Sequence, residues 1–178
     1  GVGKTSAVVQ LREKRYAQLD ESYATEDTHY HEVVVDGEKA VLAILDTASS
    51  PKNYDKDRDA FIKAADGYIV MYSIDVAQTF HEIWKYKDQV GALRAEDGPV
   101  FPVVLAGNKS DLDLVREVMQ KDALDLASTW GSIPTIEVSS KDHGTIDVLF
   151  NTMVREVRKF RKMSALQKRQ KAEQCSVM

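Results

Sequence analysis

The chain has 178 residues, a formal net charge of −4 and 43% hydrophobic residues. This length suits one domain, and the apolar fraction suffices for a buried core, so the composition excludes a disordered chain. The acidic balance gives no general case for nucleic-acid binding. No apolar run is long enough for a membrane-spanning helix. The single cysteine, Cys175, excludes an internal disulfide and fits a reducing compartment.

Hydrophobic periodicity and turn residues predict an alternation of helices and strands. A first helix begins at Lys4 and extends to Leu19, and a polar loop follows over 20–31. A β-hairpin covers 31–47, and its turn is the favoured pair Asp36-Gly37. The elements predicted after the hairpin are a loop over 48–59, a helix ending at Ala65, a strand over 67–75, a helix over 79–93, a strand over 101–106, a helix over 115–130, a strand over 133–138 and a final helix from about Thr145.

These elements predict an α/β fold with a mostly parallel sheet flanked by helices. The helical spacing groups Trp84 with the core positions of the 79–93 helix, and Met119 with those of the 115–130 helix. In such sheets, ligands bind beyond the carboxyl ends of the strands. The loops that follow the strands should therefore converge on one site.

The opening stretch GVGKTS matches the end of the phosphate-binding loop G-x-x-x-x-G-K-[S/T]. Its leading glycine and its feeding strand would lie before residue 1, so this stretch alone leaves open an unstructured terminus with a chance match. The nucleotide-binding candidates here are Gly1, Val2, Gly3, Lys4, Thr5 and Ser6. Gly3 lets the backbone approach a phosphate, and Lys4 supplies positive charge. The Thr5 hydroxyl can ligate Mg²⁺.

Matching chemistry follows the other predicted strands. Asp46 comes after the hairpin and can hold the same Mg²⁺. The run Asn108-Lys109-Ser110-Asp111 follows the next strand, and Ser139-Ser140-Lys141 follows the last one. The Asp111 carboxylate can accept from two donors on the guanine edge that adenine lacks, and so selects guanine. The stem of Lys109 can lie along the base, Asn108 can tie the loops together, and a backbone N–H near Ser140 can bind the guanine oxygen.

The order and spacing of these motifs resemble the Ras family of small GTPases. The segments that carry the resemblance are GVGKTS, VVVDGE, ILDTA, GNKSDL, VSSKD and MVREVRKF. The resemblance implies a P-loop NTPase fold with its first strand missing from this chain, and a monomeric guanine-nucleotide switch that binds GTP or GDP with Mg²⁺. It also implies effectors, exchange factors and GTPase-activating proteins that bind switch loops at about 21–28 and 47–64. Tyr16 lies where the family often has an aromatic residue on the base, or else it is a core aromatic at a helix end.

Two departures from the family pattern concern the switches. The second switch reads Asp46-Thr47-Ala48-Ser49-Ser50-Pro51, where the family has glycine and glutamine after the alanine. That glycine donates to the γ-phosphate and the glutamine orients the attacking water, so intrinsic hydrolysis should be weak. In the first switch, counting from the hairpin puts Ala24 at the place of the Mg²⁺-binding threonine, and a shift of one residue puts Thr25 there. Thr25 is the preferred candidate, as metal ligand and, with Lys4, as catalytic residue.

The chain ends in Cys175-Ser176-Val177-Met178, which matches a C-a-a-X box for farnesylation of Cys175. Basic residues upstream can supply the second membrane signal that one lipid needs. We therefore expect a GTP-binding domain over 1–160, a basic membrane-targeting tail over 161–178, and a location on the cytoplasmic face of the plasma membrane or an endomembrane.

Three functional hypotheses remain at this level. The first is a membrane-anchored small GTPase with weak hydrolysis. The second is a constitutively GTP-bound module that binds effectors without turnover. The third is a polypeptide that binds nothing, because a central strand and half of the phosphate loop are absent.

Overall fold

The computed structural model describes residues 1–16, 27–47, 55–94 and 101–175, without the side chains of 27, 55–58 and 171–175. The described part contains five helices and five strands, besides a short 3₁₀-helix at Ser110–Val115. In chain order these are α1 (Lys4–Glu13), β1 (Asp27–Val35), β2 (Glu38–Asp46), α2 (Asp55–Ala64), β3 (Tyr68–Ser73), α3 (Ala77–Leu93), β4 (Val103–Asn108), α4 (Gln120–Thr129), β5 (Thr135–Glu137) and α5 (His143–Cys175).

The described strands form two sheets. β1 and β2 are an antiparallel hairpin in which Asp27 pairs with Asp46 and Val35 with Glu38. β3, β4 and β5 form a parallel sheet with β4 in the centre. The β4 strand is buried along its whole length, whereas β3 is half-buried over 68–71. The structure is thus an α/β fold with a parallel sheet flanked by helices, as the sequence predicts.

The hairpin turn is the predicted Asp36-Gly37 pair. Both residues have positive φ, 54° and 79°, which is the backbone of a type I′ turn. Asparagine, aspartate and glycine tolerate this region best, so the local sequence determines the register of the hairpin.

The core lies on both faces of the parallel sheet. On one face, α1 and α5 pack against β4 and β5, and β2 packs on the same cluster through Leu42 and Ile44. On the other face, α3 and α4 cover Tyr72, Ile74 and Leu105. The two helical layers bury the apolar faces of the sheet.

Several predicted boundaries are wrong. α1 ends at Glu13 rather than Leu19, because Lys14 adopts the left-handed conformation (φ 51°) and its N–H donates to the Gln10 carbonyl. The sequence predicts loops over 27–31 and 55–59, because the polar residues at the start of β1 and of α2 show no apolar period. The structure places these residues in the strand and the helix. β4 extends to Asn108, β5 is limited to Thr135–Glu137, and α5 begins at His143.

The segment 115–130, which the sequence predicts as one helix, instead contains the end of the 3₁₀-helix, an extended link and α4. The N–H groups of Glu117 and Val118 both donate to the carbonyl of Ile74, so the link is tied to the end of β3 instead of forming helical bonds. Met119 therefore precedes α4 and is 56% exposed. Trp84 is 44% exposed rather than part of the core, because it packs edge-on against Trp130 at the protein surface.

Candidate nucleotide-binding site

The amino-terminal end of α1 is built to face an anion. Gly3 is in the left-handed conformation (φ 89°, ψ 26°) and α1 begins at the next residue. The first intrahelical bond runs from the Ala7 N–H to the Gly3 carbonyl, 3.0 Å. The preceding amides therefore point out of the helix end, where the helix dipole is positive. No acidic side chain lies in the first turn of α1 and no side chain caps it.

Gly3 also lies against the end of β4. A Cβ on this residue would lie 2.3 Å from Asn108 Nδ2, well inside van der Waals contact. Two features therefore require glycine at this position: the positive φ and the close approach of the Asn108 amide. The phosphate-loop candidate and the Asn-Lys-x-Asp run are consequently packed together.

Asn108 joins three segments through its buried amide. Its Nδ2 donates to the Val2 carbonyl at 2.8 Å and lies 2.9 Å from Ser140 Oγ. Its Oδ1 accepts from the Ser140 N–H at 3.1 Å, and the Ser140 hydroxyl is within 3.2 Å. The side chain is only 1% exposed, so these bonds are shielded from water. Asn108 ties the loops together, as the sequence predicts.

Asp111 is held in place as a carboxylate. Oδ1 accepts from the Ser139 hydroxyl and Oδ2 from Lys141 Nζ, each at 2.6 Å. Burial opposes ionisation of Asp111, but these hydrogen bonds outweigh it and lower the pKa of the carboxyl. The same bond raises the pKa of Lys141. The group therefore carries a negative charge at neutral pH and still has lone pairs for further donors.

Tyr16 lies beside this group. Lys141 Nζ lies 5.7 Å from the centre of the Tyr16 ring, and the tyrosine is 44% exposed. This exposure argues against the alternative of a core aromatic at a helix end. The exposed Tyr16 ring thus lies next to the Asp111–Lys141 pair.

Sequence reasoning missed the support for Lys109. Lys109 has a left-handed backbone (φ 65°), and its Nζ lies 3.2 Å from Oδ2 of Asp75. Asp75 also accepts from the hydroxyl of Ser73. The signal was available, because Asp75 follows β3 and so belongs to the same rim as the other loops.

Thr145 is a second omission. Its hydroxyl accepts from the Ser139 N–H at 3.1 Å and lies 2.9 Å from the Asp142 carbonyl. It thereby fixes the loop that carries Ser139 and Ser140 to the start of α5. Sequence offers only a weak signal for it, a threonine near a helix start.

Asp46 fits a cation. It ends β2, is 4% exposed, and its Oδ1 has no hydrogen-bond partner within the described structure. A buried carboxylate oxygen without a partner is costly unless a cation or donor compensates it. Thr5 lies in the first turn of α1, which packs against β2. Among the described residues, no group of three or more His, Cys, Asp or Glu side chains is placed so that it could hold a metal ion. Mg²⁺ needs no such cluster, since one or two protein oxygens plus phosphates and water suffice.

The two switches are only partly described. Thr25, Ala24, Ser49, Ser50 and Pro51 lie outside the described residues, so their predicted roles stay predictions. The described parts of the predicted switch segments are 27–28, 47 and 55–64.

The loops at the rim of the sheet bring the candidate residues Gly3, Asn108 and Ser140 together. The model of the Ras family matches residues 1–159. The chain belongs to the Ras family. Membership makes it a small GTPase, a GTP-binding molecular switch with guanine nucleotide as ligand and regulatory and effector proteins as partners. The prediction of family and fold is confirmed.

The carboxyl-terminal part is one long helix, and the predicted division of the chain at residue 160 stays a prediction. α5 continues from His143 to Cys175 and crosses the predicted boundary at 160 without a break. Among the described helices, none combines the length and hydropathy needed to cross a bilayer.

Proposed function

We propose that this protein is a membrane-anchored, Mg²⁺-dependent guanine-nucleotide switch with weak intrinsic hydrolysis. The observation that carries the proposal is the Asn108 network, which joins the phosphate-loop candidate at Val2 to the loop of Ser140. One buried side chain thus couples the place for the phosphates to the place for the base.

Base recognition rests on Asp111. Guanine presents two donors, N1–H and the exocyclic amine, and a carboxylate offers two acceptor oxygens for them. Ser139 and Lys141 hold the carboxylate in place and ionised. The exposed ring of Tyr16 and the stem of Lys109 supply the surfaces that lie along the base.

Phosphate binding rests on the start of α1. The amides that follow Gly3 and the positive end of the helix dipole favour an anion there. Lys4 adds a point charge for the terminal phosphates. Thr5, Asp46 and Thr25 would hold Mg²⁺, which neutralises charge on the β- and γ-phosphates when bound.

Weak hydrolysis follows from the second switch. Ser49 has a narrower backbone range than the glycine of the family pattern, and Ser50 is too short to orient a water as glutamine does. The alternative is a constitutively GTP-bound effector-binding module without turnover. Single-turnover hydrolysis separates the two, because the first reading requires a slow but measurable rate.

Membrane anchoring rests on lipidation of Cys175 with the basic residues of α5 as the second signal. This would place the protein on the cytoplasmic face of the plasma membrane or an endomembrane. Cys175→Ser should move the protein into the soluble fraction of cells. Unchanged membrane association of this variant would refute the lipid anchor.

The nucleotide assignment is tested by base selectivity. Asp111→Asn replaces one acceptor with a donor, so affinity for GDP should fall by about tenfold or more while affinity for xanthosine diphosphate rises. Titration of both nucleotides against the intact protein and this variant measures the exchange. Asp113→Asn, an exposed carboxylate two residues away, is the matched control and should change neither affinity. Equal GDP affinity in the wild type and Asp111→Asn would show that the base pocket is misassigned.

A further inference from the structure

The segment that carries Asp111 has little apolar packing of its own. The 3₁₀-helix Ser110–Val115 contains no buried residue, and Leu114 is fully exposed. Within this helix, Leu112 departs from helical backbone angles (φ −98°, ψ 34°). A short helix without core contacts depends on polar bonds at its ends to keep one position.

Both ends of the 3₁₀-helix are bonded to the end of β5. At its start, the Ser110 N–H donates to the Val138 carbonyl at 3.0 Å. Directly after it, Arg116 donates from Nη1 and Nη2 to the two carboxylate oxygens of Glu137, at 2.6 and 2.8 Å. Glu137 is the last residue of β5 and Val138 follows it. The helix is thus attached at both ends to the segment that leads into the loop of Ser139.

The Arg116–Glu137 ion pair is partly buried and tightly oriented. The two side chains are 15% and 17% exposed. Arg116 Nη1 also donates to the Val118 carbonyl at 3.0 Å, which fixes the plane of the guanidinium. Nε lies 2.8 Å from Asp113, but that carboxylate is 72% exposed, so this contact adds little. The bidentate contact with Glu137 therefore sets the position of the arginine.

Tyr72 lies next to this ion pair on the sheet. Its side chain is fully buried, and a Cβ on Gly107 would lie 2.7 Å from its hydroxyl oxygen. Gly107 is the register partner of Glu137 on the neighbouring strand. Burial raises the pKa of Tyr72 to about 12, and the negative charge of Glu137 raises it further. The ion pair consequently borders on the buried core, where its geometry matters more than it would in water.

We propose that Arg116 and Glu137 are positioning residues for base recognition, whose ion pair holds the Asp111 carboxylate in place. Asp111 accepts from the Ser139 hydroxyl at 2.6 Å, so this bond and the ion pair join the same two segments. Without the ion pair, the end of the 3₁₀-helix is released and Asp111 loses its fixed position. The inference rests on the proposed guanine pocket, and it adds two residues that act through Asp111.

A purely structural role is the alternative to positioning. A partly buried ion pair contributes little net stability, because the loss of hydration offsets the attraction between the charges. An arginine fork on a carboxylate does fix the distance and the plane of both groups. Lysine keeps the positive charge but cannot form the two parallel bonds. Arg116→Lys therefore removes the geometry and keeps the charge.

Discrimination between GDP and inosine diphosphate tests the proposal. Inosine diphosphate lacks the exocyclic amine, which is one of the two donors for Asp111. The intact wild-type protein should bind GDP more tightly than inosine diphosphate by about tenfold or more. In Arg116→Lys this ratio of affinities should fall by about threefold or more, because the carboxylate no longer meets the amine in a fixed position. A merely structural role would weaken both nucleotides equally, and an unchanged ratio would overturn the proposal.

Two further variants sharpen the comparison. Arg155→Lys is the matched control, because it makes the same substitution in another arginine–carboxylate fork, with Asp36 of the hairpin turn. It should leave the ratio at the wild-type value, and an equal fall there would count against the assigned role of Arg116. Glu137→Gln keeps the size of the side chain and one acceptor oxygen. It should lower the ratio in the same direction by a smaller factor, and an unchanged ratio would contradict the role of Glu137.

The Asp111→Asn background shows whether Arg116 acts through Asp111. In that background Arg116→Lys should leave the remaining ratio unchanged, whereas a further threefold fall would contradict the proposed route. Failure of the two proposals is also distinguishable. If the wild type binds GDP and inosine diphosphate equally, the guanine pocket itself is misassigned. If the wild type discriminates and Arg116→Lys discriminates equally well, only the positioning role is wrong.

Discussion

Asn108 Nδ2 donates to the carbonyl oxygen of Val2 at 2.8 Å, across 106 positions of the chain. The same amide holds Ser140 through Oδ1. The two ends of the proposed nucleotide site are therefore joined by a single residue at the end of the central strand β4. A change at Asn108 should affect stability and nucleotide retention together.

Asn108→Ala should lower the free energy of unfolding by roughly 2–4 kcal/mol, because it leaves the Ser140 N–H and the Val2 carbonyl without their buried partner. GDP should also dissociate faster, by about tenfold, since the loops lose their link. Chemical denaturation and release of a fluorescent GDP measure the two effects. Ser140→Ala is the control, because it removes one hydroxyl and leaves both backbone bonds to Asn108, so its cost should be about 1 kcal/mol. Equal costs would contradict the assigned role of Asn108.

Gly3→Ala should be more harmful than its positive φ alone explains. A left-handed alanine costs about 1–2 kcal/mol, and the new Cβ would also clash with the Asn108 amide. Gly131→Ala isolates the first effect, because Gly131 has nearly the same φ (90°) and open space around its Cβ position. Thermal unfolding of both variants should show a loss for Gly3→Ala that is larger by about 1 kcal/mol or more. Similar losses would mean that the contact with Asn108 relaxes without cost.

Asp75 should make stability depend on pH below its ordinary pKa of 3.8. Burial opposes its ionisation, but hydrogen bonds from Ser73 and Lys109 outweigh burial and lower its pKa. A carboxyl with a lowered pKa stabilises the fold above the unfolded value, and this contribution disappears as pH falls through the folded value. The difference in unfolding free energy between wild type and Asp75→Asn should be constant near neutral pH and shrink below 3.8. Urea denaturation between neutral and acidic pH measures this difference in unfolding free energy. A difference that does not change with pH would contradict the ion pair between Asp75 and Lys109.

Local signals in the sequence suffice for most of the fold. The Asp36-Gly37 pair determines a turn through its own backbone preference, and the apolar run of β4 needs no partner to be recognised. The rim of strand ends then brings Asn108, Asp111 and Ser140 into one site by topology alone. The turn and the strand can be recognised from short segments, and the meeting of the loops follows from the order of the strands, so all three were predicted.

The remaining parts depend on contacts between distant segments. The link after the 3₁₀-helix follows from two N–H groups that reach the Ile74 carbonyl, and no periodicity in 115–119 encodes that bond. Asp75 supports Lys109 from 34 positions away, and the only signal for the contact is its place after β3 at the same rim of the sheet. The sequence predicts the start of the last helix at about Thr145 but not its end, and the structure shows that α5 runs to Cys175.

The proposal of weak hydrolysis rests on Ser49 and Ser50, which the sequence analysis assigns to the places of the family's glycine and glutamine and which lie outside the described residues. Catalysis requires a water in line with the γ-phosphate and stabilisation of the charge that develops on it. Lys4 remains for the charge, but the expected glutamine is absent, so the single-turnover rate should be low and poorly stimulated by Ras-type activators. Ser49→Gly combined with Ser50→Gln should raise the rate about tenfold, or about 1.4 kcal/mol of barrier. Ser49→Gly alone is the control and should restore little, because it cannot place the water.

Pro51 limits the rescue if it misplaces the loop, and changing Pro51 in the double variant measures that effect. A wild-type rate equal to that of ordinary small GTPases would refute impaired turnover and direct the search to Asn53 or Thr47 as the group that positions the water.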